Sequence, residues 1–183
     1  MCRIMTSNYN NCITENGVSI SGDGGNSIGF NGRTLPLFAP KKGFWEIWHN
    51  NIGKVSEEEN TKYYVREYYK QVLSQLDPNN MLKIIPDGAI LLCYEDNDKF
   101  CHRHLVAFWF ELFLGMNTSE VIENPKRETV RKAERPEYLK DILEEVIKEN
   151  YEMNGFDNIK DAYEYNRNKA SERSLNLKLT YNK

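Results

Sequence analysis

The sequence predicts an α/β protein with a small, mainly parallel sheet flanked by helices and a C-terminal helical extension. Residues 89–94 form a near-continuous apolar run, which is typical of a strand buried on both faces. Residues 101–114 follow after a short polar loop, and their apolar side chains cover most of the circumference of a helix. A buried strand followed directly by a buried helix is half of a parallel α/β unit.

Composition sets the class of protein before any motif is considered. The length of 183 residues suits one domain, or one domain with an appendage. The net charge of −3 argues against a globally basic nucleic-acid binder. No apolar run approaches the ~18 residues of a membrane span, and no signal peptide is visible, so we expect a cytosolic protein and no membrane partner. In that setting the four cysteines do not predict a disulfide framework.

The first forty residues are rich in loops. Two short strands are predicted, one beginning at residues 4–5 and one at residues 18–21, where apolar and small polar residues alternate. Five of the eleven glycines then fall within residues 22–32. Such a loop can bring its backbone close to a ligand, but the spacing fits neither the dinucleotide motif nor the P-loop. A flexible loop is the simpler interpretation.

Residues 41–115 are predicted to form the globular centre. The aromatic cluster at residues 44–48 indicates a short helix. The sequence from Ser56 to Glu59 fits a capping box and predicts a helix through Ser74. Asp77 and Pro78 start a turn or a further short helix.

The rest of the chain is more polar. We predict an α/β domain over residues 1–116 and a helical appendage over residues 117–183. Helical periodicity over residues 138–147 predicts one amphipathic helix, and a second, polar helix is predicted over residues 159–171. The appendage is interpreted as packed on the core, and the alternative is an arm that binds a protein partner or nucleic acid.

The junction between the buried strand and the buried helix carries the candidate site. Ligands of open α/β sheets bind beyond the carboxyl ends of the strands, and a helix N-terminus can hold a phosphate and lower the pKa of a thiol. We therefore assign Cys101, Glu95 and His102 as candidate catalytic residues. Arg103 is the candidate anion-binding residue, and Cys93 is a possible second thiol.

Each assignment has a structural alternative. A cysteine in a buried strand usually behaves as a small hydrophobic residue, which is the alternative for Cys93. His102 could bond a loop carbonyl, and Arg103 could form an ion pair with Glu95 or Asp98. His104 is expected to pack in the core.

Metal binding is a competing interpretation of the same residues. The spacing C-x7-C-H-x-H is not a usual zinc motif, and two histidines two residues apart on a helix point to different sides. We therefore assign no metal ligand from the sequence. A redox pair of Cys93 and Cys101 would need close Cα atoms.

The same segment carries a resemblance to a known family. The segment runs as an apolar strand, Cys93, any residue, Glu95, a short loop, and then Cys101-His102-Arg103 at the start of a helix. This order resembles the C-terminal signature of the domain-of-unknown-function 488 family. Weaker similarity extends over roughly residues 1–115. The resemblance implies a small α/β fold with these five residues as its site, but no established reaction.

A second part of that resemblance concerns residues 18–21, which are similar to the family's second strand. Ser19 and Ser21 are assigned with Arg103 as candidate anion-binding residues. Many relatives carry an arginine just after this strand, whereas Gly22 follows Ser21 here. This departure keeps a non-catalytic role open.

Three functions therefore compete. The first is an enzyme acting on a phosphate-bearing substrate, a nucleotide or nucleic acid. The second is a non-catalytic protein that senses a nucleotide or binds a protein partner through residues 117–183. The third is a thiol redox or metal-binding protein. The sequence requires no cofactor.

Overall fold

The structure, a computed structural model, describes residues 4–12, 15–124 and 129–181 and confirms the α/β class. Within these residues, six strands form one sheet: β1 (Met5–Asn8), β2 (Gly17–Ser19), β3 (Arg33–Thr34), β4 (Ile90–Cys93), β5 (Ser119–Asn124) and β6 (Thr129–Lys132). Their order in the sheet is β3-β2-β4-β1-β5-β6. All neighbouring strands are parallel except β5 and β6, which are antiparallel.

The helices lie in three groups along the chain. The structure places α1 (Lys42–Asn51), α2 (Glu57–Gln71) and α3 (Pro78–Ile84) before β4, α4 (His102–Leu114) directly after it, and α5 (Tyr138–Asn150) and α6 (Ile159–Tyr181) at the end. The capping box that opens α2 is present, because Ser56 and Glu59 bond each other's backbone amides. A short 3₁₀ turn at Leu73–Gln75 replaces the last turn predicted for this helix. In the part of the chain that the structure describes, no helix is long and apolar enough to span a membrane.

The core is centred on α4. This helix is buried on nearly all sides, because it packs against β1 and β4 on one side and against α3, α5 and α6 on the other. The aromatic side chains Phe108, Trp109 and Phe110 are fully buried within it. A smaller apolar cluster covers the opposite face of the sheet, where Ile90 and Leu92 of β4 pack with Met5 and Val121. The prediction that this strand is buried on both faces is therefore confirmed.

The segment after residue 116 is not wholly helical, and in this respect the prediction of a helical appendage is wrong. Residues 119–132 form β5 and β6, and β5 extends the sheet by pairing with β1. The sequence did not indicate β5, because the charged residue Glu120 is buried and therefore breaks the alternation of apolar and polar residues expected of a strand. The helices α5 and α6 that follow do form the predicted C-terminal helical extension.

Candidate functional site

A cleft of about 470 Å³ opens at the carboxyl ends of β2 and β4. Cys93 is the last residue of β4, and Ser21 lies just past the end of β2. The N-termini of α1 and α4 reach the same cleft, through Lys42 and His102. This is where ligands bind in open parallel sheets, because the strands end together and the helices begin there.

A compact cysteine–histidine cluster lies at the inner wall of the cleft. The Nδ1 atom of His102 is 3.6 Å from the Sγ atom of Cys93 and 3.9 Å from the Sγ atom of Cys101. All three side chains are buried, and all three line the cleft. Local structure explains the cluster, since β4 ends at Cys93, Cys101 is the N-cap of α4 and His102 is its first residue. The structure thus brings together three residues that the sequence predicted.

The orientation of the His102 ring is fixed from its far side. Its Nε2 atom lies 2.9 Å from the carbonyl oxygen of Ile20. A carbonyl can only accept a hydrogen bond, so Nε2 carries the proton and donates it. In the neutral ring, Nδ1 then presents its lone pair to both sulfur atoms. His102 therefore does bond a backbone carbonyl through Nε2, as the structural alternative expected. This bond is compatible with the position of Nδ1 beside the two sulfur atoms.

The two thiols differ in acidity. Burial favours the protonated thiol of Cys101, but the hydrogen bond with Cys93 and the charge of Arg103 outweigh it and hold the pKa of Cys101 well below its ordinary value. The pKa of Cys93 is raised, because Cys93 donates that hydrogen bond and because it is buried. The two thiols therefore titrate as a coupled pair.

Arg103 lies beneath the cleft and does not line it. Its Nη2 and Nε atoms donate to the carboxylate of Glu120 at 3.0 Å and 3.2 Å, and Nη2 also donates to the carbonyl oxygen of Asp96. Both side chains of the ion pair are fully buried. The assignment of Arg103 as a direct anion ligand does not fit this pairing, because Glu120 already neutralises the guanidinium group.

The pairing extends into a buried polar network. Thr6 on β1 donates to Glu120 on the neighbouring β5 at 2.6 Å, and the two residues are in register. The ring of His104 lies 3.6 Å from the same carboxylate. Burial and the charge of Arg103 lower the pKa of His104 to about 3, so this ring is neutral. His104 is thus buried, as expected, but beside a carboxylate.

The two predicted serines have different roles. Ser21 lines the cleft, whereas Ser19 is buried and does not reach it. The hydroxyl of Tyr9 bonds Ser19 at 2.7 Å and Ser21 at 2.8 Å. The assignment of Ser19 as an anion-binding residue does not fit this position, because its hydroxyl is engaged by Tyr9, which directly follows β1.

Asp23 is a cleft residue that the sequence analysis missed. Its carboxylate accepts hydrogen bonds from the amides of Gly25 and Ser27 and from the hydroxyls of Ser21 and Tyr94. These bonds outweigh the effect of burial and hold the pKa of Asp23 well below its ordinary value. The glycine-rich segment thus folds around one carboxylate. An aspartate between glycines was the signal for such an Asx-type turn.

Two adjacent residues of this loop need the backbone freedom of glycine. Gly24 and Gly25 have φ angles of 69° and 84°, which favour glycine. A Cβ atom on Gly25 would also lie 2.7 Å from the Cβ atom of Phe30. A side chain at this position would therefore disturb the wall that carries Asp23.

Aromatic side chains form the opposite wall. Trp45 and Trp48 of α1 line the cleft together with Tyr64 of α2 and Phe100. Phe100 packs against Trp48 and Tyr64 with ring centroids 5.5 Å and 4.9 Å apart, whereas Trp45 is 40% exposed. The sequence indicated this aromatic cluster but not that it faces the cysteines. Large flat side chains around a cleft favour a planar aromatic ligand.

Glu95 lies at the rim of the cleft, two residues after Cys93. Partial burial and the charge of Cys101 raise the pKa of its carboxyl group. A carboxyl with a raised pKa is suited to proton transfer near neutral pH. Glu95 thus shares the cleft with Cys101 and His102, and its catalytic role stays a prediction.

The N-terminus of α1 lies at the cleft with Lys42, whose ammonium group pairs with Glu46 at 3.6 Å. The first turn of α1 contains no acidic residue and starts with Lys42, directly after Lys41. Lysine at a helix N-terminus is unfavourable for the helix, because the helix dipole is positive at that end. An anion bound there would relieve this repulsion.

Comparison with known proteins adds no assignment to this geometry. No family model matches the chain, and neither a similar curated protein nor a similar solved structure was found. The resemblance to the domain-of-unknown-function 488 family therefore stays a prediction from residues 90–107.

Proposed function

We propose that this cleft is the active site of an enzyme acting on a nucleotide or a related phosphate-bearing substrate. The observation that carries the proposal is the convergence on one cleft of the Cys101–His102 pair and the N-termini of α1 and α4. The resemblance to the uncharacterised family, whose signature covers the same residues, supports the location of the site but not the reaction.

The two parts of a nucleotide suit different parts of the cleft. Trp45 and Trp48 provide flat apolar surface for a base. Lys42 and the N-terminus of α1 favour a phosphate on the exposed side of the cleft, whereas Arg103 is engaged by Glu120. Asp23 and Glu95 are carboxylates that also line the cleft, and they disfavour an anion deeper inside.

We assign the reactive groups to the cysteine–histidine cluster and assign proton transfer to Glu95. His102 is held with Nδ1 toward Cys101, which is the arrangement that a reactive sulfur centre needs. Glu95 lines the same cleft as this centre. Nucleophilic and acid–base catalysis both use these groups.

The test is a binding and turnover experiment with adenosine, AMP, ATP, inorganic phosphate and a short single-stranded oligonucleotide. We expect AMP or ATP to raise the melting temperature more than adenosine or phosphate alone, because both parts of the cleft are then occupied. Trp45→Ala should remove the part of the melting-temperature increase that comes from the base, and Lys42→Ala should remove the part that comes from the phosphate. Ile47→Ala and Lys54→Ala are matched controls, because these residues lie on or just after α1 but do not line the cleft.

Turnover is followed by chromatography of the same mixtures. Cys101→Ser and Glu95→Gln should each lower the rate by about 100-fold or more while binding persists. Binding without any turnover would contradict the enzyme and favour a nucleotide-sensing protein. The absence of any melting shift across the panel would contradict the proposal as a whole.

A further inference from the structure

Cys93, Cys101 and His102 have the arrangement of metal ligands. Their ligand atoms, two sulfurs and one imidazole nitrogen, lie within 4.8 Å of one another. Thiolate and imidazole are the ligands that Zn²⁺ prefers in proteins. Among the described residues, no other cysteine, histidine, aspartate or glutamate belongs to this group. We infer that the three residues form a zinc site with two cysteine ligands and one histidine ligand.

The distances agree with tetrahedral coordination. With Zn–S bonds of about 2.3 Å and Zn–N bonds of about 2.0 Å, a tetrahedral ion separates its sulfur and nitrogen ligands by about 3.5 Å. The observed separations of His102 Nδ1 from the two sulfur atoms are 3.6 Å and 3.9 Å. Two of the three ligand separations therefore suit a tetrahedral ion, and the sulfur atoms of Cys93 and Cys101 lie within 4.8 Å of each other.

The surroundings of His102 support the same conclusion. A metal-binding histidine usually donates its other ring N–H to a carboxylate or a backbone carbonyl, which fixes the tautomer. His102 does this through Nε2 and the carbonyl oxygen of Ile20 at 2.9 Å. The lone pair on Nδ1 then points toward Cys93 and Cys101, where a metal would lie.

The sequence spacing concealed this set. His104, the other histidine near His102 in sequence, is buried beside Glu120 and does not join the group, as expected from its position on the helix. Cys93 joins it because β4 ends next to the first turn of α4, a proximity that the motif spacing does not reveal. Fold geometry thus supplies a ligand set that a search for standard zinc motifs would not find.

The site leaves one coordination position open. Three protein ligands are typical of catalytic zinc, where water or substrate takes the fourth position, whereas structural zinc usually has four. All three ligands line the cleft, so the fourth position faces it. Both cysteines bind Zn²⁺ as thiolates, so any proton still on a thiol passes to solvent and no redox change occurs.

This inference rests on the proposed function for the role of the open position, but the binding of zinc can be tested separately. The full-length protein is stripped with a chelator, reloaded with Zn²⁺ and assayed for metal content by mass spectrometry. We expect one zinc ion per chain. Replacement with Co²⁺ should give the intense visible bands of a tetrahedral site with sulfur ligands.

Variants identify the ligands. Cys93→Ser and Cys101→Ser should each weaken zinc binding by about 100-fold or more, whereas Cys12→Ser, which alters a thiol outside the group, should not. A second measurement needs no variant: Zn²⁺ should slow alkylation of Cys93 and Cys101 in the native protein, with Cys12 as the internal reference. No retained zinc, an octahedral cobalt spectrum, or unchanged alkylation of these two thiols would overturn the inference.

The outcomes separate the two proposals. If nucleotides bind and turn over but zinc does not bind, the proposed function stands and Cys101 acts as a free thiolate. If zinc binds at the three ligands but no nucleotide binds, the metal site stands and the proposed function fails. Tight zinc binding that survives Cys101→Ser would contradict the ligand set itself.

Discussion

At the scale of single residues, Arg103 shows how a buried charge is accommodated beneath the cleft. Its guanidinium group is fully buried, and its charge is balanced by Glu120, which is also held by Thr6. Such a pair adds little stability over an apolar replacement, but loss of one partner leaves an uncompensated charge in the interior. Glu120 also fixes Arg103, whose charge lowers the pKa of Cys101.

Glu120→Gln should therefore destabilise the protein strongly. The variant keeps an acceptor for Thr6 but leaves the charge of Arg103 unbalanced, so we expect a loss of about 3–5 kcal/mol in the free energy of unfolding. Urea denaturation followed by circular dichroism measures the loss. Glu137→Gln removes an exposed carboxylate whose partner Arg135 is also paired with Glu111, so it should cost less than about 1 kcal/mol.

A second variant tests the stated cause. Arg103→Met combined with Glu120→Gln removes the unbalanced charge, so this double variant should recover most of the stability lost in the single variant. If the double variant is no more stable than Glu120→Gln, the loss has another origin.

At the scale of elements, Glu111 joins α4 to the segments that follow it. Its carboxylate accepts hydrogen bonds from Thr118 at 2.7 Å, from Arg135 at 2.9 Å and from Lys140 at 2.9 Å. Thr118 directly precedes β5, Arg135 precedes α5, and Lys140 lies within α5. One side chain on the buried helix thus orients both the added strand and the helix that packs on it.

This carboxylate should make stability depend on pH. Burial favours its protonated form, but the bonds from Thr118, Lys140 and Arg135 outweigh burial and lower the pKa of Glu111. A group whose pKa is depressed in the folded state stabilises the fold above its unfolded pKa of about 4.3, and that contribution disappears as the pH falls through the folded value.

Glu111→Gln should consequently cost about 1–3 kcal/mol at pH 7. The difference in free energy of unfolding between the two proteins should shrink steadily as the pH is lowered below about 4. Urea titrations at a series of pH values measure both. Glu144→Gln, on the surface of α5, is the control and should change stability by less than about 0.5 kcal/mol. A difference that does not vary with pH would contradict the assigned charge state.

At the scale of the whole molecule, residues 117–183 complete the core and do not simply lie against it. They supply β5 at the side of β1, Glu120 for Arg103, and the helices α5 and α6 that pack on α4. Without them, the apolar side chains of α4 would face water and Arg103 would lack its counter-charge. The resemblance to the uncharacterised family, in contrast, covers only about residues 1–115.

A fragment of residues 1–116 should therefore not fold by itself. We expect it to lack a cooperative thermal transition and near-ultraviolet circular dichroism, because both a charge partner and much of the apolar covering are missing. Mixing it with a fragment of residues 117–183 should restore both signals. A cooperative transition in the first fragment alone would show that the predicted division at residue 116 is a true domain boundary.

Several features were determined by local sequence. The apolar run of β4 and the apolar surface of α4 predicted the fold class, because burial on all sides requires such patterns. The capping box at Ser56 located the start of α2, since the bonds that it makes are local. The same holds for Cys93, Glu95, Cys101 and His102, which the chain itself brings to one strand–helix junction.

Tertiary structure alone decided the rest. The partner of Arg103 lies 17 residues away on a strand that the sequence pattern concealed, and Ile20, which orients His102, lies 82 residues away. The packing of Trp45 and Asp23 around one cleft depends likewise on how distant segments meet. Strand order and helix packing set these distances through contacts between residues far apart in sequence, and local periodicity does not predict such contacts. The strand, the helix and their junction are instead determined by neighbours along the chain.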